Sequence, residues 1–138
     1  MAERVVAVSG GFDPLHVGHV RMIQAAAKLG TRLVVIVNGD EFLIRKKGYA
    51  FMPLTERMEI VRALSHVDEV VAAVDRDQTV SETLRLVRPH VFANGGDRRD
   101  AVDIPESAVC RELGIEMVFN VGGGKVQSSS ELVQRAAT

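Results

Sequence analysis

The sequence predicts a doubly wound α/β fold built on a five-stranded parallel sheet. Short apolar runs rich in β-branched residues alternate with segments of helical periodicity, the pattern of a parallel sheet covered by helices on both faces. Each conspicuous cluster of glycine and polar residues follows one of these apolar runs. Because ligands in such sheets bind beyond the carboxyl ends of the strands, we expect these clusters to converge on one rim.

The first segments of the chain predict a strand, a helix and a second strand. Residues 4–8 predict a buried parallel strand, because the four residues after Arg4 are apolar and three of them are β-branched. Residues 20–29 place apolar side chains at helical spacing, and Gly30 ends that helix. Residues 33–37 form the second strand, and the turn residues 38–40 mark its end.

The middle of the chain opens with Arg-Lys-Lys-Gly at residues 45–48, which we interpret as a basic loop. Thr55 then caps a helix with an apolar face. Residues 69–74 predict the third strand, and residues 81–87 a short helix that Pro89 interrupts.

The last third of the chain predicts two strands and two helices. Residues 90–93 are the fourth strand, after which Pro105 opens a helix and Gly114 closes it. Residues 115–121 are the fifth strand, and the serines at 128–130 cap a final helix.

Composition places the chain among ordinary soluble globular proteins. Its 138 residues are enough for a single domain spanning residues 1–138 with one buried core. A net charge of −1 gives no basic excess for nucleic acid or anionic membranes. The one cysteine, Cys110, forms no internal disulfide, and no apolar run approaches the length of a membrane span. We therefore expect a cytoplasmic location.

Residues 10–19, Gly-Gly-Phe-Asp-Pro-Leu-His-Val-Gly-His, join the first strand to the first helix. Glycine lets the main chain approach a ligand closely, and a helix N-terminus favours bound phosphate. His16 and His19 are three residues apart at the helix start, so both can point toward one anion. Their alternative role is structural, holding the turn through main-chain hydrogen bonds. A zinc site is disfavoured because the remaining histidines and Cys110 lie in distant segments.

The string at residues 10–19 resembles the Gly-x-Phe-Asp-x-x-His-x-Gly-His signature of the cytidylyltransferase-like nucleotidyltransferases. This resemblance implies a Rossmann-like fold and a homodimer. It also implies transfer of a nucleoside monophosphate from a nucleoside triphosphate, carried with Mg²⁺, to a polyol or sugar phosphate. Pyrophosphate is released by in-line attack without a covalent enzyme intermediate. Such chemistry requires positioning and positive charge rather than a protein nucleophile.

The resemblance to glycerol-3-phosphate cytidylyltransferase extends over almost the whole chain and implies further site residues. Lys46 and Arg57 would stabilise the leaving pyrophosphate and join His16 and His19 as catalytic residues. Lys47 is interpreted as solvated, and Arg57 has the alternative of a surface helix residue paired with neighbouring glutamates. Asp40 is the candidate for contact with the acceptor. The nucleotide-binding set implied is Gly11, Phe12, Asp13, Gly18, Asn94, Gly95, Gly96, Asp97, Ser128, Ser129 and Ser130.

Individual members of that set leave alternatives open. Asp13 either caps the turn or helps place magnesium, and the sequence names no metal ligands. Asp97 either accepts from ribose hydroxyls or is a plain turn residue. The Gly-Gly-Asp at residues 95–97 resembles the heptose 1-phosphate adenylyltransferase branch. The cytidylyltransferase branch has an arginine near position 123 that this chain lacks, with Lys125 two positions later. Both ATP and CTP therefore stay open.

Two other functions are compatible with the same residues. A nucleotide-binding sensor or regulatory module could use this fold without catalysis. An adenylyltransferase similar to archaeal FAD-forming enzymes could share the double glycine at residues 95–96. The presence of both histidines, Lys46 and Arg57 together favours an enzyme. Pyrophosphate release distinguishes an enzyme from a non-catalytic sensor.

Overall fold

The computed structural model describes residues 2–95, 104–123 and 128–137. Within these ranges, strands and helices alternate along most of the chain. The elements are β1 (Val5–Gly10), α1 (Val17–Ala27), β2 (Arg32–Val37), α2 (Asp40–Lys47), α3 (Leu54–Arg62), β3 (Glu69–Ala72), α4 (Ser81–Val87), β4 (Val91–Gly95), α5 (Ser107–Leu113), β5 (Glu116–Val121) and α6 (Ser129–Ala137). No helix in the described ranges is long and apolar enough to cross a membrane.

The five strands form one parallel sheet in the order β3-β2-β1-β4-β5. The predicted doubly wound α/β fold is therefore confirmed. The chain moves outward from β1 in one direction through β2 and β3, and in the other through β4 and β5. Strand order therefore reverses between the neighbouring strands β1 and β4. In sheets of this kind the ligand crevice lies at the carboxyl ends of the strands where the order reverses.

Both faces of the sheet are buried, which explains why the strands are continuously apolar. Side chains alternate between the faces of a strand. On one face Val6 and Val8 pack with Ile23 of α1 and Val61 of α3. On the opposite face Ala7 belongs to a second cluster, whose helical members include Leu84 of α4 and Cys110 of α5.

The prediction of a basic loop at residues 45–48 is wrong. Arg45, Lys46 and Lys47 form the last turn of α2, and Gly48 follows it with a φ of 91°. Positive side chains are stabilised at a helix C-terminus, and glycine readily adopts the left-handed conformation that ends a helix. Helix α2 therefore begins with two acidic residues, Asp40 and Glu41, and ends with three basic ones, the arrangement that the helix dipole favours.

Other boundaries differ by a few residues. Thr55 lies inside α3, whose N-cap is Pro53, so the prediction that Thr55 caps this helix is wrong. Strand β3 ends at Ala72, two residues earlier than expected. Asp75 follows that strand, and its carboxylate accepts the backbone N–H groups of Glu82 and Thr83 at the start of α4.

Candidate functional site

The two histidines of the glycine turn lie side by side at the start of α1. His16 is the N-cap, and its Nδ1 accepts the N–H of Gly18 at 3.1 Å. The Nδ1 of His19 accepts the N–H of His16 at 3.2 Å. The two imidazole rings are stacked with their centroids 3.8 Å apart. The structural interpretation of the pair, holding the turn, is thus correct for the Nδ1 atoms.

Those hydrogen bonds determine the tautomer of each ring. An Nδ1 that accepts a hydrogen bond carries no proton, so the proton of the neutral imidazole is on Nε2. Burial, together with the charge of His16, lowers the pKa of His19 to about 4. His19 is therefore a neutral N–H donor at physiological pH. Holding the turn uses Nδ1 of His19, whereas a hydrogen bond to a phosphate oxygen would use its Nε2–H.

The ring of Phe12 packs against His19. It is 2% exposed, and it meets the imidazole of His19 edge-on with centroids 4.9 Å apart. The backbone φ of 52° turns the chain at the end of the glycine pair. Phe12 also borders a cavity of the site, so its contact with nucleotide stays a prediction.

Two cavities meet at His19, whereas His16 lines neither of them. We call the first the serine-side cavity, which has a volume of about 330 Å³ and contains the serines that open α6. We call the second the asparagine-side cavity, of about 260 Å³, which lies over the ends of β1, β2 and β4. The residues that border both are Gly11, His19 and Lys46. These three residues therefore form the boundary between the two cavities.

The serine-side cavity brings together groups that the sequence places far apart. Its wall includes Ser128, Ser129 and Ser130 as well as Lys46. The Oγ of Ser129 donates to the carbonyl of Pro14 at 2.8 Å, which fixes the start of α6 against the glycine turn. Lys46 is exposed on the last turn of α2. A lysine and a helix N-terminus facing one cavity form an environment that favours polyphosphate.

Lys47, which also borders the serine-side cavity, contacts the turn. Its Nζ donates to the carbonyl of Asp13 at 2.9 Å and lies 3.5 Å from the carboxylate of that residue. It also lies 4.8 Å from the ring centroid of Tyr49. The interpretation of Lys47 as merely solvated is therefore wrong.

The carboxylate of Asp13 is committed to the protein. It is 1% exposed, and its two oxygens accept the N–H groups of Phe51 and Met52 at 2.6 and 2.7 Å. With the ammonium of Lys47 these bonds fasten the segment between α2 and α3 to the turn. This structural role of the carboxylate extends the predicted alternative of Asp13 as a cap of the turn and disfavours magnesium. Because Asp13 also borders the serine-side cavity, its contact with nucleotide stays a prediction.

Arg57 is fully buried, so both predictions for it, a phosphate ligand and a surface residue, are wrong. Its guanidinium donates to the carbonyl of Met52 at 2.9 Å, of Gly11 at 2.9 Å and of Asn38 at 2.6 Å. It also donates to a carboxylate oxygen of Asp40 at 2.6 Å. Arg57 thus connects the loops after β1 and β2 with the loop that precedes α3. A guanidinium can do this because its donors are planar and numerous.

That ion pair also determines the position of Asp40. The carboxylate is half-exposed at the first turn of α2 and does not line either cavity among the described residues. The prediction of acceptor contact for Asp40 is therefore not supported by its placement, because the carboxylate is directed to Arg57.

The glycines of the turn allow close approach of other backbone and side-chain atoms. A Cβ at Gly11 would lie 2.7 Å from a methyl carbon of Leu43 in α2, so a larger residue at this position would require the Leu43 side chain to shift. The N–H of Gly18 is occupied by His16, which makes Gly18 part of the turn rather than a donor to nucleotide.

The end of β4 supplies two of the predicted nucleotide-binding residues to the asparagine-side cavity. Asn94, which is 6% exposed, and Gly95 both line it. Gly96, Asp97 and Lys125 lie outside the described residues.

Sequence reasoning placed Asn38 on the rim without assigning it a role, and it missed three other polar residues of the asparagine-side cavity. Asn38, Gln78, Thr79 and Glu106 all line it. Asn38 and the pair Gln78–Thr79 follow β2 and β3, so the rule that ligands bind beyond strand ends could have identified them. Glu106 precedes α5, and its Oε2 accepts the N–H of Val80 at 2.9 Å. Nothing in the local sequence signals that contact.

Sequence comparisons relate the chain to known proteins. A family model described as cytidylyltransferase-like matches residues 7–120. The bifunctional protein HldE of Streptomyces coelicolor is 43% identical over 137 residues, covering 96% of this chain and 28% of that protein. HldE of Methylococcus capsulatus is 42% identical over 123 residues, covering 88% of this chain and 24% of that protein. The chain thus spans about a quarter of the length of these relatives.

Solved structures show the same architecture. The lipopolysaccharide core biosynthesis protein of Thermoplasma volcanium superposes with a TM-score of 0.73 at 26% identity, covering 86% of this chain and 94% of that one. Pantothenate synthetase of Thermus thermophilus superposes with a TM-score of 0.64 at 16% identity, covering 95% and 61%. The second likeness concerns the fold alone.

Proposed function

The chain belongs to the cytidylyltransferase-like family of nucleotidyltransferases, and on that premise we propose that it transfers a nucleoside monophosphate from a nucleoside triphosphate to a small phosphorylated acceptor. A polyol or sugar phosphate is the acceptor class. The observation that carries the proposal is the convergence of His19, Lys46 and the serines of α6 on one cavity. These groups come from three separate segments, and each is suited to phosphate.

The reaction is an in-line displacement at the α-phosphorus. An oxygen of the acceptor phosphate forms a bond to that phosphorus, and the bond to the β-bridging oxygen breaks, so pyrophosphate leaves with the electron pair. The Nε2–H of His19 donates to an oxygen that gains negative charge in the transition state. Lys46 and the N-terminus of α6 attract the pyrophosphate end. His16 orients His19 by donating its backbone N–H to the ring.

We propose that magnesium accompanies the triphosphate, where it neutralises phosphate charge. Within the described ranges, no three His, Cys, Asp or Glu side chains are grouped to hold a metal ion. Asp13 is engaged by two backbone N–H groups and Lys47. These residues do not fit a resident magnesium site, so the ion would be bound mainly by phosphate oxygens.

ATP is our proposed donor ahead of CTP. The double glycine after β4 resembles the adenylyltransferase branch, and the likeness to HldE supports an adenylyltransferase-like role. We further propose that residues 1–138 form one domain and that the protein is a homodimer. Light scattering of the purified chain, which gives its molar mass in solution, tests the dimer.

Pyrophosphate release tests the proposed reaction. ATP, CTP, GTP and UTP are each incubated with Mg²⁺ and a panel of polyol and sugar phosphates, with reactions lacking the acceptor as controls. We expect release that requires both substrates, and it should be greatest with ATP. Binding of a nucleotide without release from any acceptor would indicate a sensor. Release from ATP with flavin mononucleotide as the only effective acceptor would indicate an FAD-forming enzyme.

A further inference from the structure

Asn38 is held firmly by its main chain at the end of β2. Its N–H donates to the carbonyl of Gly10 at 2.9 Å, which continues the pairing of β1 with β2. Its carbonyl accepts from the guanidinium of Arg57 at 2.6 Å. Because both backbone groups are engaged, the fold fixes the backbone of Asn38 at the edge of the cavity that its side chain lines.

The side chain of Asn38 is buried with an unused acceptor. The residue is 7% exposed, and its Oδ1 has no hydrogen-bond partner within the described part of the chain. The great majority of buried polar side-chain atoms in proteins are paired, and an unpaired one destabilises the folded state. A group retained at such a cost to stability is a candidate for binding a ligand.

The cavity that Asn38 lines differs in charge from its neighbour. Around the asparagine-side cavity stand the amides of Asn38 and Gln78, the hydroxyl of Thr79 and the carboxylate of Glu106. Lys46 borders both cavities, whereas Lys47 and the start of α6 line the serine-side cavity alone. Asp13 also lines that cavity, but its carboxylate is paired with Lys47. A carboxylate repels phosphate and accepts hydrogen bonds from hydroxyl groups. Phosphate is therefore favoured at the boundary with Lys46, and hydroxyls are favoured beyond it.

We propose that Asn38 is a specificity residue of the acceptor site and that it recognises a hydroxylated carbon skeleton. The acceptor's phosphate lies at the boundary formed by His19 and Lys46. Its carbon chain enters the asparagine-side cavity at the end of β2, across β1 from the predicted nucleotide-binding residues at the end of β4. One of its hydroxyls donates to Oδ1 of Asn38. This assignment rests on the proposed function, since it places the acceptor opposite the triphosphate.

Binding and turnover of Asn38→Ala test this assignment. The probes are glucose 1-phosphate, mannose 1-phosphate and glycerol 3-phosphate, with phosphoethanolamine as the probe that lacks hydroxyls. Calorimetry measures each Kd with and without a non-hydrolysable ATP analogue, and pyrophosphate release gives each KM. Gln24→Ala, which removes an amide from the exposed side of α1, is the matched control.

We expect Asn38→Ala to raise the Kd for the best hydroxylated phosphate about tenfold to a hundredfold, as for loss of a buried hydrogen bond. The KM for the nucleotide should change less than twofold, and Gln24→Ala should match the wild type. The thermal midpoint should stay the same or rise, because the variant removes an unpaired buried acceptor. A merely structural asparagine would give a lower midpoint instead.

Several results would overturn the assignment. These are an equal rise in the KM for nucleotide, an unchanged Kd for hydroxylated phosphates, or wild-type binding of phosphoethanolamine as tight as that of the sugar phosphates. Failure of every hydroxylated phosphate to bind the wild type would also overturn it. If a sugar phosphate binds through Asn38 but no pyrophosphate is released, the proposed reaction fails while this assignment is supported. If pyrophosphate is released only with acceptors lacking hydroxyls, the reaction stands and this assignment fails.

Discussion

Replacing Arg57 by methionine should destabilise the protein strongly, because the guanidinium is a buried connection between three loops. Methionine has a similar length and preserves packing, but it donates no hydrogen bond. The variant leaves the buried carbonyls of Gly11, Asn38 and Met52 without their charged donor. It also leaves Asp40 unpaired, although that carboxylate is 44% exposed and can be hydrated.

The size of the effect follows from these contacts. Hydrogen bonds to charged groups contribute about 1.5–3 kcal/mol each, and breaking a buried ion pair costs about 3–5 kcal/mol. Discounting the half-exposed Asp40, we expect a loss of about 4 kcal/mol in the free energy of unfolding. The entropy of unfolding is about 2.1 cal/mol/K per residue, or about 0.3 kcal/mol/K for 138 residues. The thermal midpoint should therefore fall by about 13 °C.

Thermal and urea unfolding, followed by circular dichroism, measure this loss. Arg62→Met in the same helix is the control, since Arg62 is exposed at the last turn of α3 and should shift the midpoint by less than about 3 °C. The reasoning is refuted if Arg57→Met also shifts it by less than that amount while pyrophosphate release falls a hundredfold. Such a result would place the guanidinium on phosphate.

Three further predictions concern the site. The pKa of His19 is about 4 in the folded chain and near 6.5 when unfolded, so the unfolded chain binds an extra proton between these values. The free energy of unfolding should therefore fall as the pH drops from about 6.5 to 4, and His19→Asn should flatten that decline in urea titrations at several pH values. Lys46→Ala should raise the KM for nucleotide more than that for acceptor, with Arg45→Ala as the control; equal increases would count against a triphosphate contact. Asp13→Ala should lower the free energy of unfolding by about 3–5 kcal/mol, since it removes two charged hydrogen bonds and a buried ion pair, and a loss below about 1 kcal/mol would refute this role.

The sheet and the turn at residues 10–19 could be predicted because their signals are local. Continuous apolar runs indicate buried parallel strands, and glycine with polar residues after each run indicates where they end. The same reasoning brought His19 and the α6 serines to one rim, and their common cavity agrees with it.

The roles of Arg57, Asp13 and Lys47 could not be predicted from local sequence. Each depends on partners 5 to 46 residues away along the chain, such as the contact of Arg57 with Gly11. A charged residue on an apparently polar segment gives no signal that the fold will bury it. The local sequence likewise indicates only a turn at Asn38, because an Oδ1 without a partner in the described ranges becomes evident only in the folded chain.

The turnover of His19→Ala tests most directly whether the histidine donates to the reacting phosphate. The measurement is the rate of pyrophosphate release at saturating nucleotide and acceptor, with nucleotide Kd and thermal midpoint determined on the same samples. We expect kcat to fall by about 10²–10³, as for loss of one oxyanion donor, with nucleotide affinity and fold retained. An unchanged kcat with a loss confined to KM would contradict the account.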